Sequence, residues 1–207
     1  MMERTEAKRK IGILGGTFNP IHNGHLQIAQ QAKDYLSLDE MFLMPSGNSY
    51  MKKASEILSG EIRSEMVQLA VEEYEGMYLS KMEVNRSGAT YTYETLQLLH
   101  QQYPETEFYF LVGGDSLFSI SNWKNPDMIF QHCTLVVATR DDKTSDCLKQ
   151  QMAMLKREFQ AEIILLPEHL ITISSSDIRE RIKKGQSIEG LVPPKVDEYI
   201  RKNRLYE

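Results

Sequence analysis

Short apolar runs alternate along the chain with longer segments whose apolar residues recur at helical spacing. The runs end at glycine, proline or polar residues and are too short for helices, so they predict buried strands. They cover residues 11–14, 41–44, 77–79, 108–112, 134–138 and 163–166. Apolar residues three and four positions apart predict amphipathic helices between and after these runs. The helical segments cover residues 28–36, 61–72, 91–102, 145–159, 175–184 and 194–203.

This alternation predicts an α/β fold. Strand–helix–strand units connect with a right-handed crossover and bury both faces of the sheet. We therefore expect a Rossmann-like open, mostly parallel sheet with helices on both faces. No repeat or low-complexity linker divides the sequence, so we expect a single domain over residues 10–207 after a disordered lead-in at residues 1–9.

Glycines and polar residues cluster where the predicted strands end. Ligands of open α/β sheets bind beyond these carboxyl ends. The clusters are Gly15-Gly16-Thr17, Ser46-Gly47-Asn48 and Gly113-Gly114-Asp115. The loop over residues 45–60 is long for a compact domain, and such loops often serve as lids or binding segments. The sequence therefore predicts a ligand site at this edge of the sheet.

Composition narrows the class of protein. The chain has 207 residues, of which 41% are hydrophobic and 26% charged, as in a soluble globular protein. Its net charge of -5 disfavours nucleic acid as a partner, because binding to the phosphate backbone needs a concentrated positive surface. No apolar stretch predicts a membrane span or a signal peptide, so we expect a cytoplasmic protein without membrane contact. Cys133 and Cys147 fit no zinc-site spacing and are expected to be reduced thiols.

The first candidate site is the segment from Gly15 to His25, which reads GGTFNPIHNGH. Glycines let the backbone approach a phosphate closely, and a helix that starts after the loop adds unpaired N–H groups and a positive dipole end. Histidines three residues apart, at positions 22 and 25, share one face of the first helical turn. The sequence therefore predicts an anion pocket with two imidazole donors.

Other familiar sites fit this segment poorly. The turn after the first strand lacks the glycine spacing of dinucleotide-binding dehydrogenases, and the chain contains no P-loop. A zinc site is disfavoured because no third ligand from Cys, Asp or Glu lies near the histidine pair. We assign no residue as a metal ligand.

The second candidate site is the segment over residues 173–179, which reads ISSSDIR. Ser175 and Ser176 are suitable N-cap residues for a helix that carries Arg179. Hydroxyl groups, helix-terminal N–H groups and a guanidinium together suit one phosphate. With the first segment, this pattern predicts a polyphosphate site.

Both segments resemble signatures of the nucleotidyltransferase superfamily. The residues from His22 to His25 match its T/H-x-G-H motif, and the ISSSDIR segment is similar to its I-S-S-T-x-I-R motif. The TYTYETL string at residues 90–96, the Gly113-Gly114-Asp115 turn followed by Trp123, and the VPPKV string at residues 192–196 resemble one branch. That branch is the bacterial nicotinate-nucleotide adenylyltransferases.

The resemblance implies a reaction and a set of site residues. ATP and nicotinate mononucleotide would give nicotinate adenine dinucleotide and pyrophosphate in NAD biosynthesis, with Mg²⁺ entering bound to ATP. The implied catalytic residues are His22, His25, Lys52 and Arg179. The implied ATP-binding residues are Gly15, Gly16, Thr17, Phe18, Gly24, Asp115, Ser175 and Ser176. The implied nicotinate mononucleotide-binding residues are Asn48, Thr92, Trp123 and Arg140.

The chain departs from this family at two places, and more than one activity stays open. Asn19 stands where the family usually has Asp, and SYMK at residues 49–52 replaces the usual P-P-H-K, so Lys52 and Lys53 both remain candidates for the phosphate contact. A phosphopantetheine adenylyltransferase shares the two end motifs but does not need Trp123. A cytidylyltransferase and a non-catalytic nucleotide sensor stay open as well, and so does self-association into a homo-oligomer.

Overall fold

A six-stranded, all-parallel sheet forms the centre of the molecule. The computed structural model describes residues 8–47, 57–139, 146–167 and 173–207. The strands lie in the order β3-β2-β1-β4-β5-β6. Their bounds are β1 Arg9–Gly16, β2 Glu40–Pro45, β3 Met77–Leu79, β4 Thr106–Gly113, β5 Thr134–Ala138 and β6 Ile163–Leu165. The prediction of a parallel Rossmann-like sheet is confirmed.

Helices cover both faces of the sheet. Their bounds are α1 Asn23–Leu36, α2 Gly60–Val71, α3 Thr92–Gln102, α4 Gly114–Ser119, α5 Pro126–His132, α6 Asp146–Phe159, α7 Ser175–Lys183 and α8 Pro194–Lys202. A 3₁₀ turn at Ile120–Asn122 connects α4 to the segment before α5. Within the described residues, none of these helices has both the length and the apolar character that crossing a bilayer requires.

Two hydrophobic cores lie on the two faces of the sheet. Successive strand residues point to opposite faces, and in β2 Met41 and Leu43 enter one core while Phe42 and Met44 enter the other. The first core includes apolar residues of α1, α2, α7 and α8, and the second those of α3, α4, α5 and α6. Both faces are therefore buried, which explains why the strands read as unbroken apolar runs.

The order of the strands fixes where a ligand can bind. The chain runs outward from β1 through β2 to β3, then returns to the other side of β1 with β4. Helical connections leave β1 and β4 toward opposite faces, so a crevice opens between their carboxyl ends. Gly16 ends β1 and Gly113 ends β4, so the two glycine clusters of the sequence border this crevice.

Some elements differ from the sequence expectation. The strand β1 begins at Arg9, so the sheet includes the last residue of the expected lead-in, and residues 1–7 lie outside the described part of the chain. The sequence pattern missed α4, the 3₁₀ turn and α5, whose three to seven residues are too few to show helical periodicity. These short elements place Asp115 and Trp123, so the omission concerns the site directly.

Candidate active site

A cleft of about 870 Å³ opens at the carboxyl ends of β1 and β4. Six of the residues predicted from the sequence line it: Gly15, Gly16, His25, Thr92, Asp115 and Trp123. They come from the last two residues of β1, from α1, from the first turns of α3 and α4, and from the segment after the 3₁₀ turn. One end of the cleft is thus formed by the glycine loop with the histidine pair, and the other by aromatic and helix-terminal groups.

The β1–α1 loop at the first end is shaped by Gly16 and Phe18. The Phe18 side chain is buried, and a Cβ added at Gly16 would lie 2.8 Å from its ring. Only glycine therefore fits over the ring without displacing it. Phe18 itself adopts a positive φ of 48°. Because its ring is buried beneath the loop, any contact between Phe18 and a ligand has to use the Phe18 backbone.

The histidine pair forms the start of α1. His22 is the N-cap residue, and its backbone N–H donates to Nδ1 of His25 over 3.2 Å. Because Nδ1 accepts this hydrogen bond, the proton of the neutral His25 ring lies on Nε2. The two rings stack with centroids 3.6 Å apart, and His22 is buried behind His25, which lines the cleft. Of the two imidazoles predicted as donors, His25 thus presents an oriented N–H group to the cleft, whereas the buried His22 supports the His25 ring by stacking.

Helix α7 packs against the same loop. The Ser175 hydroxyl donates to the Pro20 carbonyl over 2.9 Å, and Nη1 of Arg179 donates to the Asn19 carbonyl over 2.9 Å. Nη2 of Arg179 lies 3.4 Å from the Ser176 hydroxyl oxygen. The two sequence motifs, some 150 residues apart in the chain, therefore meet around one loop, as predicted.

The capping residue of α7 differs from the prediction. Ser174, and not Ser175 or Ser176, is the N-cap, and its side chain accepts from the N–H of Asp177. Ser174 has extended backbone angles, whereas the next two serines lie inside the first helical turn. An N-cap must precede the helical backbone, so the boundary decides which of three adjacent serines caps.

The second end of the cleft is formed by α3 and Trp123. Thr92 is the first residue of α3, one residue after the predicted start, and Tyr91 is the N-cap residue before it. The Lys124 ammonium lies 4.5 Å from the centroid of the Tyr91 ring. The Trp123 indole N–H is buried and has no hydrogen-bond partner within the part of the chain that the structure describes. Aromatic side chains and the N-terminus of α3 thus line the same end of the cleft.

A hydrogen-bond network that the sequence did not reveal supports this second end. Glu83 accepts from the Thr95 hydroxyl over 2.9 Å and from the Thr90 hydroxyl over 3.3 Å. Arg86 forms an ion pair with Glu94 and also donates to the Thr95 hydroxyl. The hydrogen bond from the Tyr93 hydroxyl, followed by that from Arg86, lowers the pKa of Glu94. The start of α3 is therefore fixed by side chains from the preceding turn.

Glu83 also contacts the segment after β2. Its carboxylate lies 3.4 Å from the Gly47 N–H, and a Cβ at Gly47 would come within 2.5 Å of the Glu83 carbonyl oxygen. The two segments approach so closely that only glycine fits at position 47.

Comparisons with known proteins agree with this geometry. The cytidylyltransferase-like family model matches residues 13–181. A probable nicotinate-nucleotide adenylyltransferase of Lachnoclostridium phytofermentans is 41% identical over 96% of this chain and 99% of its own length. One from Clostridium tetani is 40% identical, with the same coverage of both chains. The chain belongs to the nicotinate-nucleotide adenylyltransferase family.

A solved structure shows the same fold at lower sequence similarity. The Plasmodium falciparum nicotinic acid mononucleotide adenylyltransferase complexed with NaAD has a TM-score of 0.78. It is 21% identical and aligns over 96% of this chain and 97% of its own. This chain therefore has the fold of that solved structure over nearly its whole length.

Some of the predicted site residues of this family member lie outside the described residues: Asn48, Lys52 and Arg140. Metal ligands were not predicted, and the described residues hold no group of three or more His, Cys, Asp or Glu side chains that could bind an ion. Arg63, a charged residue on the buried face of α2, was not predicted as a site residue. Its helical spacing with Met66, Val67 and Ala70 was a signal that it faces the core.

Proposed function

We propose that this chain transfers the adenylyl group of ATP to the phosphate of nicotinate mononucleotide, giving nicotinate adenine dinucleotide and pyrophosphate. The reaction is a step of NAD biosynthesis. The observation that carries this proposal is the composition of one cleft, with oriented phosphate donors at one end and a ring-stacking platform beside a helix N-terminus at the other. The relatives named for this activity support it.

The chemistry at the phosphate end needs no protein nucleophile. A phosphate oxygen of nicotinate mononucleotide attacks the α-phosphorus of ATP, the bond from that phosphorus to the bridging oxygen breaks, and pyrophosphate leaves with the electron pair. Catalysis then consists of positioning and charge stabilisation. The Nε2–H of His25 donates to the phosphate oxygens where charge develops, and Arg179 stabilises the pyrophosphate. Lys52 is the further cation expected near the leaving group.

Mg²⁺ fits this site as an ion that enters with ATP. The groups described at the phosphate end are hydrogen-bond donors, namely the protonated Nε2 of His25, the Arg179 guanidinium and backbone N–H groups. Mg²⁺ prefers oxygen ligands such as the phosphate oxygens of ATP. The oxygens of ATP would hold the ion, and it would neutralise part of their charge. The orientation of the phosphates would then come from the side chains at the phosphate end, and the ion would not need a protein ligand.

The acceptor end suits a nicotinate ring. Trp123 offers an aromatic face for the pyridine ring. The N-terminus of α3 at Thr92 supplies N–H groups and a dipole that favour a carboxylate over a neutral amide. An amide would turn its NH₂ group toward these donors and leave them unpaired, which is costly in a site sheltered from water. We therefore expect the acid form of the acceptor to be preferred.

Pyrophosphate release from ATP tests the proposal. The assay compares nicotinate mononucleotide, nicotinamide mononucleotide, phosphopantetheine and a buffer blank under the same conditions. Rapid release with nicotinate mononucleotide alone is the expected result. A higher rate with phosphopantetheine would assign the chain to the sister activity, and no release with any acceptor would favour a nucleotide sensor.

A further inference from the structure

Arg63 is a buried cation, and each nitrogen of its guanidinium donates to a backbone carbonyl group. It lies on α2 and is 4% exposed. Its Nε donates to the Leu58 carbonyl over 2.9 Å, Nη1 to the Thr17 carbonyl over 2.8 Å and Nη2 to the Ser46 carbonyl over 2.7 Å. These short, well-formed contacts use all three nitrogens of the guanidinium, so its orientation is fixed.

The three carbonyls belong to three segments that converge on the phosphate end. Thr17 lies in the β1–α1 loop, Ser46 directly follows β2, and Leu58 directly precedes the N-cap of α2. Two further bonds join the same segments. The Ser46 N–H donates to the Gly16 carbonyl over 2.8 Å, and the Leu58 N–H donates to Oδ1 of Asn19 over 3.3 Å.

Asn19 continues this network toward α7 and the end of the fold. Its Oδ1 also accepts from the Tyr206 hydroxyl over 2.9 Å, and its backbone carbonyl accepts from Arg179. The β1–α1 loop is therefore held from one side by Arg63 and from the other by Arg179. Both arginines act on backbone oxygens of the segment between Gly16 and Pro20.

An ordinary structural ion pair does not explain Arg63. Among the described residues, no carboxylate lies within ion-pair distance of its guanidinium. Burial lowers the pKa of Arg63, but a guanidinium stays protonated in proteins. Burying a charge without a counter-ion is unfavourable, and three hydrogen bonds to carbonyl groups offset part of that cost here. The cost is consistent with a role in the site.

We propose that Arg63 is a positioning residue for adenylyl transfer, holding the β1–α1 loop in the geometry that binds the phosphates of ATP. Arg63 does not line the cleft and acts through the carbonyls of Thr17, Ser46 and Leu58. A planar fork can reach three carbonyls at once, whereas the single ammonium of lysine cannot reproduce that arrangement. The proposal rests on the function proposed above.

The test compares Arg63→Lys and Arg63→Met with the same substitutions at Arg157. Arg157 lies on α6 with a side chain that is 77% exposed, and it is remote from the loop network. The assays run well below the melting temperature of each variant, and rates are normalised to folded protein measured by near-ultraviolet circular dichroism. For each variant we measure kcat, the KM of each substrate, and the Kd of a non-hydrolysable ATP analogue.

Both Arg63 variants should lose about 10-fold or more in kcat and about 10-fold in affinity for the ATP analogue, the scale of a lost charge-assisted hydrogen bond. The KM of nicotinate mononucleotide should change less than the affinity for the ATP analogue, because the network meets the acceptor end only through the segment after β2. The Arg157 variants should match the wild type. A failure of Arg63→Lys to rescue shows that the fork, and not the charge, is required.

Three results would overturn the proposal. The first is a normal kcat and ATP affinity in folded Arg63→Lys. The second is a lower melting temperature with unchanged kinetics per folded molecule, and the third is that neither variant folds, since Arg63 then has a structural role only. Failure of the proposed function looks different, because wild-type protein would then form no dinucleotide while the ATP-analogue measurement still reports on Arg63.

Discussion

The two ends of the cleft are built in different ways. At the phosphate end, Arg63, Arg179 and Ser175 bind backbone carbonyls of one loop and come from distant parts of the chain. At the acceptor end, Glu83 and Arg86 bind side chains that are close in sequence. At the phosphate end the side chains thus bind backbone carbonyl groups, which a substitution in the loop leaves in place. At the acceptor end they bind other side chains, which a substitution can remove. This difference would let a family keep its chemistry while changing its acceptor.

The two ends of the cleft also differ in how their charged side chains are paired. Within the described part of the chain, Arg63 and Arg179 are in no ion pair, so the phosphate end keeps its positive charge for an anionic ligand. At the acceptor end, Arg86 is paired with Glu94, and Glu83 accepts hydrogen bonds from hydroxyl groups. The donors that the acceptor end offers to a carboxylate therefore include the helix N–H groups at Thr92 and the Lys124 ammonium, which lines the cleft.

Removing the phosphate donor should have the largest effect. We expect His25→Ala to lower kcat by about 10²-fold or more, the scale for loss of one preorganised donor to a developing charge. Steady-state kinetics measures the change, and His132→Ala, which lies outside the cleft, is the control. The melting temperature of His25→Ala should fall only slightly, because the side chain contributes one capping hydrogen bond to α1 and otherwise lines an open cleft. A normal kcat, or an unfolded variant, would refute the role of His25.

Loss of Arg179 should come next. Arg179→Ala removes the cation that lies over the β1–α1 loop, and a lost charge-assisted contact costs about 1.5–3 kcal/mol. We expect kcat to fall and the KM of ATP to rise, together by about 10- to 100-fold in kcat/KM. The exposed neighbour Arg181 on the same helix provides the control, Arg181→Ala. If both constants of Arg179→Ala match those of the wild type, Arg179 is not part of the site.

At the acceptor end, Trp123→Ala should act on binding. Stacking of a heterocyclic base on an aromatic side chain contributes about 1–3 kcal/mol, so the KM of either mononucleotide should rise by about 10-fold. The KM of ATP should not change, and Trp123→Phe should restore most of the affinity. An effect on ATP instead of the acceptor would reverse the assignment of the two ends.

The smallest effect is expected for Glu83→Gln, and it tests most closely whether the two ends of the cleft are independent. Glu83→Gln keeps the size of the side chain but weakens its hydrogen bonds to Thr90 and Thr95, so we expect the KM of nicotinate mononucleotide to rise by about 3- to 10-fold. The KM of ATP should stay constant, and Glu65→Gln on the exposed side of α2 is the matched control. Equal changes for both substrates would show that Glu83 supports the whole cleft and not the acceptor end alone.

The local motif of the phosphate end and the sheet could be predicted from the sequence, for physical reasons. A tight loop over Phe18 requires Gly16, and two histidines must stand three residues apart to share a helical turn, so these features leave a compact motif. The sheet was predictable because its strands are buried on both faces. The position of Thr92 at the start of α3 was also predictable.

The residues that were missed depend on contacts between distant segments. The fold brings Arg63 to its partners Thr17 and Ser46, which are distant from it in the sequence. No local pattern reveals the partners of Glu83. The N-cap of α7 was assigned to Ser175 and Ser176 instead of Ser174, because three adjacent serines do not indicate where the helical backbone begins. Helices as short as α4 and α5 are fixed by tertiary packing and not by periodicity.

A competition assay tests the central claim most directly, namely that one end of the cleft transfers the adenylyl group and the other selects the acceptor. The protein is incubated with ATP, Mg²⁺ and equal concentrations of nicotinate and nicotinamide mononucleotide, and mass spectrometry quantifies both dinucleotides at low conversion. The product ratio equals the ratio of the two kcat/KM values. We predict an excess of nicotinate adenine dinucleotide of about 10²-fold or more, because an amide leaves the N–H donors of α3 unpaired. A ratio near one, or no dinucleotide of either kind, would contradict the account.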